Sequence, residues 1–235
     1  VVISAGFAEV GGDGVERERA LLATARGHGM RLVGPNCLGI VSTGSGLNAT
    51  FMQRPWQRGP IAIASQSGGI GVVIADEMAR RQLGVSSFVS MGNKADVSGN
   101  DLLRYWADDP ATKVGMMYLE SIGNPHRFAR VARAVSRRLP LVALKSGRSA
   151  AGQRGARSHT AALAADDTGL DALFEHTGVI RADSLDHLLD IGALLVDQPA
   201  PAGRRIALVG NAGGPLILAA DAAAAHGLDV VELST

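Results

Sequence analysis

From Gly59 to about residue 197 the chain repeats one beat: a short apolar run, a breaker, then a stretch with helical spacing of its apolar residues. Strand-like runs fall at 61–64, 87–90, 114–119, 141–144 and 178–181. Helical patterns fill the gaps at 68–82, 101–107, 125–138 and 161–176, and one at 185–196 closes the series. Short apolar runs alternate with amphipathic helical patterns at roughly 25 to 30 residues over the first four runs and at a longer interval before the fifth, which is the spacing of crossover units and a parallel sheet. The expected fold class is therefore α/β, a doubly wound parallel sheet of flavodoxin or Rossmann type, complete between residues 59 and 197.

The flanks follow the same grammar in pieces. A β-branched run at 1–4 leads through Gly6 into a charged helical stretch, and a strand-like piece at 31–33 ends in the breakers Gly34, Pro35 and Asn36. Residues 41–58, with Ser42, Thr43, Gly44, Ser45, Gly46 and Pro55, are expected to be a loop and a boundary. After the linker Gln198-Pro199-Ala200-Pro201-Ala202-Gly203, a strand at 205–209, a helix at 216–226 and a strand at 228–233 open a third unit. The expected division is 1–58, the end of one α/β domain; 59–197, a whole domain; and 203–235, the start of another. The chain opens on Val1 inside a strand-like run, as expected of a piece of a longer protein.

Composition removes several function classes. Lys plus Arg (23) and Asp plus Glu (22) leave a net charge of +1, so no overall field recruits nucleic acid or an anionic membrane. No apolar run reaches the roughly 18 residues of a membrane helix, and the N-terminus lacks signal-peptide order. Cys37 is the lone cysteine, which excludes an internal disulfide and any multi-cysteine metal site and makes a reducing cytoplasm the default expectation. Glycine is abundant (30 of 235) and aromatics scarce (4%), so many close backbone approaches are expected.

The strongest local signal is a strand running through Ser65-Gln66-Ser67-Gly68-Gly69 into a helix that contains Gly71. Such a turn offers backbone N–H groups and the positive helix end, so phosphate or carboxylate can bind there without a cationic side chain. The same glycines would equally serve tight helix-to-sheet packing. A hydrolase elbow would need glycine two residues before Ser67, where Ser65 stands. The phosphate-loop pattern and the full dinucleotide fingerprint are both absent.

His159 follows a strand end and a basic loop, between Ser158 and Thr160, whereas the other five histidines lie in or beside helical stretches. An imidazole so placed can act as a nucleophile if an acceptor holds its second nitrogen and an anion site stands by. An ordinary loop histidine is the alternative. Glu120, closing the run Met116-Met117-Tyr118-Leu119, is a candidate acceptor on the carboxyl edge, or else a capping or surface acid. Asn93 and Lys94, in Met91-Gly92-Asn93-Lys94-Ala95-Asp96, close another strand on that edge and are candidates for binding substrate carboxylate or phosphate.

Taken together, these segments resemble the α-type half of the NDP-forming acyl-CoA synthetases, the group holding ADP-forming acetyl-CoA synthetase and succinyl-CoA synthetase. The resemblance rests on Gly34-Pro35-Asn36-Cys37-Leu38-Gly39, Ser65-Gln66-Ser67-Gly68-Gly69, Gly92-Asn93-Lys94-Ala95-Asp96-Val97, Glu120 and Ser158-His159-Thr160-Ala161-Ala162-Leu163, in the family's order. It implies an acid–thiol ligase that joins a small carboxylic acid to CoA at the expense of ATP, through an acyl phosphate and a phosphohistidine. His159 would carry the phosphoryl group and Glu120 would orient its ring. Ser65, Ser67, Gly68 and Gly69 would cradle phosphate, and Ile3, Ser4 and Ala5 fall where the family touches CoA. Nucleotide and Mg would bind outside this chain, on an ATP-grasp domain or subunit.

Two departures matter. The opening glycine loop for CoA and the ATP-grasp portion are missing, so the fragment should not run the overall reaction unaided. Val72 stands where succinyl-CoA synthetase has a substrate-contacting tyrosine, which speaks against a succinate enzyme, and Gly92-Asn93-Lys94-Ala95-Asp96 looks more like the acetate-type branch. The alternative of another class is a CoA- or acyl-CoA-sensing module fused to a protein lysine acetyltransferase domain; retention of His159 favours the ligase.

Overall fold

The computed structural model describes residues 1–52, 55–149, 152, 167–199 and 201–232. They form two compact units, Val1–Asp197 and Gln198–Thr235.

The first unit is built on seven strands: β1 (Gly39–Ser42), β2 (Leu47–Thr50), β3 (Arg58–Ser65), β4 (Val85–Ser90), β5 (Val114–Leu119), β6 (Leu141–Lys145) and β7 (Val179–Ala182). Their order across the sheet is β2-β1-β4-β3-β5-β6-β7. Strands β4, β3, β5, β6 and β7 run parallel, while β1 pairs antiparallel with β2 and with β4. Counted from β3, the parallel order is second, first, third, fourth, fifth, which is the flavodoxin winding. The winding reverses between β3 and β5, and their carboxyl ends open the crevice where such sheets bind ligands.

Helices α1 (Asp13–Gly27), α2 (Gly68–Arg80), α3 (Gly99–Asp108), α4 (Pro125–Val135), α5 (Asp167–Thr177) and α6 (Leu185–Asp197) complete this unit. Strand alternation splits the core in two. Ile61, Ile63, Val114, Met116 and Val142 point to α2 and α6, meeting Ile74, Met78, Leu188 and Leu189. Ala62, Ala64, Met117, Leu119 and Ala143 point the other way, to Trp106, Phe128, Val131 and Phe174 of α3, α4 and α5. Both faces of the central strands are covered, which explains why they read as continuous apolar runs instead of alternating ones. Small Ala62 and Ala64 stand on the face that carries Trp106, whose Nε1 donates to Ser87 Oγ at 3.1 Å.

The expected doubly wound sheet is the observed one, with local differences. Residues 41–58 contain the β1–β2 hairpin, which extends the sheet by two strands where a loop was expected. The runs at 1–4 and 31–33 do not form strands; Val2 N–H bonds Val33 O at 3.0 Å and Asn36 N–H bonds Ser4 O at 2.9 Å, without a ladder. The helix expected at 161–176 is described from Asp167 to Thr177.

The second unit, taken alone, pairs β8 (Arg205–Ile206) with β9 (Asp229–Val230) in parallel around α7 (Gly213–Ala225). Its apolar residues Val209, Ile217 and Leu218 are 64% to 87% exposed, and among its described residues only Ala223 is a buried hydrophobic.

Candidate functional site

A cavity of about 500 Å³ lies at the β3/β5 switch point. The end of β3 enters it as follows. Ser65 is fully buried and its hydroxyl donates to Ser67 O at 2.6 Å, closing the turn from within and not lining the cavity. Ser67 caps α2: its Oγ accepts from Ile70 N–H at 3.3 Å, and Gly71 N–H bonds Ser67 O at 3.0 Å. Among the described residues, no hydrogen bond takes up the N–H of Gly68 or Gly69, the first two residues of the helix. Both glycines line the cavity.

The two readings of this glycine run separate by position. A Cβ on Gly71 would come within 2.9 Å of the Phe88 ring, so Gly71 is a packing glycine. On Gly68 or Gly69 a Cβ would meet, among the described residues, nothing nearer than 4.0 Å. Among the described residues, packing does not require glycine at either position.

Across the crevice, Glu120 follows β5, is half-buried and lines the same cavity. Ile3 lines it too, while Ser4 contributes its backbone oxygen to Asn36 and Ala5 is exposed. His159 lies outside the described residues.

Asn93 and Lys94 were expected to act together, and the structure separates them. Asn93 lines the cavity, but its amide is engaged: Nδ2 donates to Glu9 Oε2 at 2.5 Å and Glu18 Oε2 at 2.7 Å, and Oδ1 accepts from Asn36 Nδ2 at 3.3 Å. Lys94, at φ +59°, turns to a second cavity of about 200 Å³, where Nζ donates to Ser121 Oγ at 2.9 Å and Ser121 O at 3.1 Å. Burial pulls the Lys94 ammonium down to about 8; Glu120 opposes that shift and Lys145 adds to it. The left-handed turn at Lys94 sends consecutive side chains to different spaces.

The sequence reading passed over Gln66. Its backbone N–H continues the β3–β5 pairing onto Tyr118 O at 3.0 Å, and its side chain is 7% exposed between the two strand ends. The available signal was a long amide between two serines at a strand end, a place where polar side chains substitute for missing ladder bonds.

Residues 58–195 match the model of the succinyl-CoA ligase-like flavodoxin domain. The chain is 41% identical over 233 residues to the alpha subunit of ADP-forming acetate–CoA ligase II of Pyrococcus furiosus, covering 99% of this chain and 50% of that one. It is 37% identical over 239 residues to a trans-feruloyl-CoA synthase from an unknown prokaryotic organism, covering 99% of this chain and 34% of that one. Among solved structures, the dinucleotide-forming acetyl-coenzyme A synthetase 1 of Ca. Korarchaeum cryptofilum, in complex with phosphate and ADP, superposes with a TM-score of 0.93 at 37% identity. That match covers 99% of this chain and 50% of the solved one, so the chain spans about half the length of such relatives or less. With its flavodoxin winding and its crevice at the β3/β5 switch point, the chain belongs to the family of succinyl-CoA ligase-like flavodoxin domains.

Proposed function

We propose that this chain is the α-type portion of an NDP-forming acyl-CoA synthetase, which converts acid, CoA and ATP to acyl-CoA, ADP and phosphate. The observation that carries the reading is the pairing of Glu120 with the open first turn of α2 in one cavity at the switch point. Phosphoryl transfer asks little covalent work of a protein; it asks for positioning and for groups that neutralise anionic oxygens. The Gly68 and Gly69 N–H groups, at the positive end of α2, suit those oxygens. In this reading a ring nitrogen of His159 bonds the terminal phosphorus of ATP as the phosphorus–oxygen bond to ADP breaks and ADP leaves. The phosphoryl group then passes to the acid's carboxylate as the phosphorus–nitrogen bond breaks; Glu120 holds the other ring nitrogen, and Ile3 touches CoA.

The remaining assignments follow from the same reading. Residues 1–58 are the end of a CoA-binding domain, 59–197 the phosphohistidine domain and 203–235 the start of a third flavodoxin-like domain. ATP and Mg bind an ATP-grasp domain or subunit, and the acid is of the acetate-type branch. Cytoplasmic placement is supported by the single cysteine; among the described residues no helix is long and apolar enough to cross a membrane.

The test is incubation of the intact protein with ATP labelled at its terminal phosphate. An acid-labile protein adduct that disappears in His159→Asn is expected. Label that persists in that variant, or a wild-type protein that takes up none, overturns the proposal; the second result would leave a CoA-sensing module as the better reading.

A further inference from the structure

Strand pairing between β3 and β5 ends at Ser65 and Tyr118, two residues short of the segment that carries Glu120 and Ser121. The side chain of Gln66 takes over where the ladder stops. Its Oε1 accepts from Glu120 N–H and from Ser121 N–H, both at 3.0 Å, so one carbonyl oxygen uses both lone pairs on consecutive backbone donors. Its Nε2 donates to Ser121 Oγ at 3.3 Å, and Lys94 Nζ holds the same hydroxyl from the other side at 2.9 Å. Gln66 is nearly buried, and its chain neighbours are the two serines that shape the α2 turn.

The geometry points to Gln66 as the positioning residue that fixes Glu120 relative to the α2 anion cradle, a role that rests on the reading of Glu120 proposed above. One residue sits in the chain immediately before the turn that forms the cradle, its own N–H tied to Tyr118 O, and holds the carboxylate's backbone by its side chain. The distance between acceptor and anion site is thereby set across the crevice, where a displacement of about 1 Å can cost on the order of 100-fold in rate. Glycine, serine or alanine at this place could not reach Glu120 N–H, and leucine would leave two buried donors without an acceptor. A carboxylate at 66 would keep the acceptor.

Two measurements on the intact protein decide it. Hydrogen exchange over residues 118–123 should accelerate at least roughly tenfold in Gln66→Leu and stay near wild type in Gln66→Glu, since only the acceptor oxygen protects Glu120 and Ser121 N–H. Unchanged exchange in Gln66→Leu overturns the proposal, and this readout needs no activity. In the second, the rate of phosphoryl label uptake should fall roughly 10- to 100-fold in Gln66→Leu and in Glu120→Gln. The double variant should be no slower than the slower single one by more than about twofold, because a positioning residue acts only through its partner. Losses that multiply in the double variant overturn the role. A wild-type protein that takes no label removes the ligase reading, and the exchange result still decides whether Gln66 fixes Glu120.

Discussion

The turns after β3 and β4 leave the same sheet edge side by side, and both contain glycine, yet their backbones are used in opposite ways. After β3, the N–H groups of Gly68 and Gly69 are taken by no other described residue and line the cavity. After β4, the turn is clasped by the first segment of the chain. Asn93 N–H bonds Pro35 O at 3.0 Å, Ala95 N–H bonds Gly34 O at 3.2 Å and Val97 N–H bonds Leu32 O at 3.0 Å. Asp96 completes the clasp, accepting from Leu32 N–H at 2.9 Å, Arg31 Nε at 2.8 Å and Arg26 at 3.0 Å. Glycine content therefore does not mark an anion site; the marker is whether the turn's N–H groups already have acceptors. The first turn keeps its N–H groups free of partners among the described residues, and the second fastens the segment around residues 32–35 to the sheet.

The harshest way to break that comparison is to add one methyl group to the clasp. Gly92 sits at φ +55°, and a Cβ there would lie 2.2 Å from Pro35 O and 2.4 Å from Asn36 O, both rigid backbone atoms. Gly92→Ala should cost about 3 kcal/mol or more, or prevent folding, from the clash and the left-handed backbone together. A urea midpoint within experimental error of wild type would show that residues 34–36 can separate from the β4 turn freely.

The matching change in the open turn should spare the fold and harm the chemistry. Gly68→Val places a branched side chain where, among the described residues, only Leu38 comes as near as 4.0 Å to a first Cβ atom, so stability should stay within about 1 kcal/mol. Label uptake should fall on the order of 100-fold, the usual consequence of blocking a preorganised anion-binding N–H. Gly71→Ala is the control from the same run: it meets Phe88 and should lower the melting temperature while leaving label uptake within about twofold. If Gly68→Val destabilises and Gly71→Ala inactivates, the division of labour drawn here is reversed.

Much of this was legible in the sequence, for identifiable reasons. Residues 61–64, 114–119 and 141–144 are covered on both faces, and continuous apolar runs separated by helical spacing announce such strands. Ser67, Gly68 and Gly69 stood out because strand, turn and helix are contiguous there. The β1–β2 hairpin was hidden because its strands have four residues each and the polar turn between them, Thr43 to Gly46, dominates the local pattern. That Asn93 and Lys94 face different cavities was hidden because sequence adjacency does not reveal the left-handed backbone at Lys94 that parts them. Gln66 escaped notice because its importance lies in acceptors and donors 54 and 55 residues away. Local chemistry can be read from a string; contacts across a switch point require the winding.

The finest test of the comparison titrates the clasp itself. The Asp96 side chain is only 3% exposed, while Arg26 and Arg31, its partners, are each 60% exposed. Hydrogen bonding from Arg31 is the largest reason its carboxyl is held down to about 2, below the usual aspartate value of 3.8, with Leu32 N–H and Arg26 adding to the effect and burial opposing it. Because the folded value lies below the unfolded one, the unfolded chain binds the proton first as pH falls. The stabilisation from Asp96 is therefore complete above about pH 4 and is lost as pH falls toward 2. At pH 7, Asp96→Asn should cost about 2 kcal/mol, the scale of hydrogen bonds to a charged group. Between pH 4 and 2.5 the gap between variant and wild type should narrow, isolating Asp96 from the other carboxylates that both proteins share. Urea midpoints measured across that range check it. A gap that stays constant down to pH 2.5 would mean that the charge of Asp96 contributes nothing and that the clasp is held by the backbone bonds from residues 93, 95 and 97 alone.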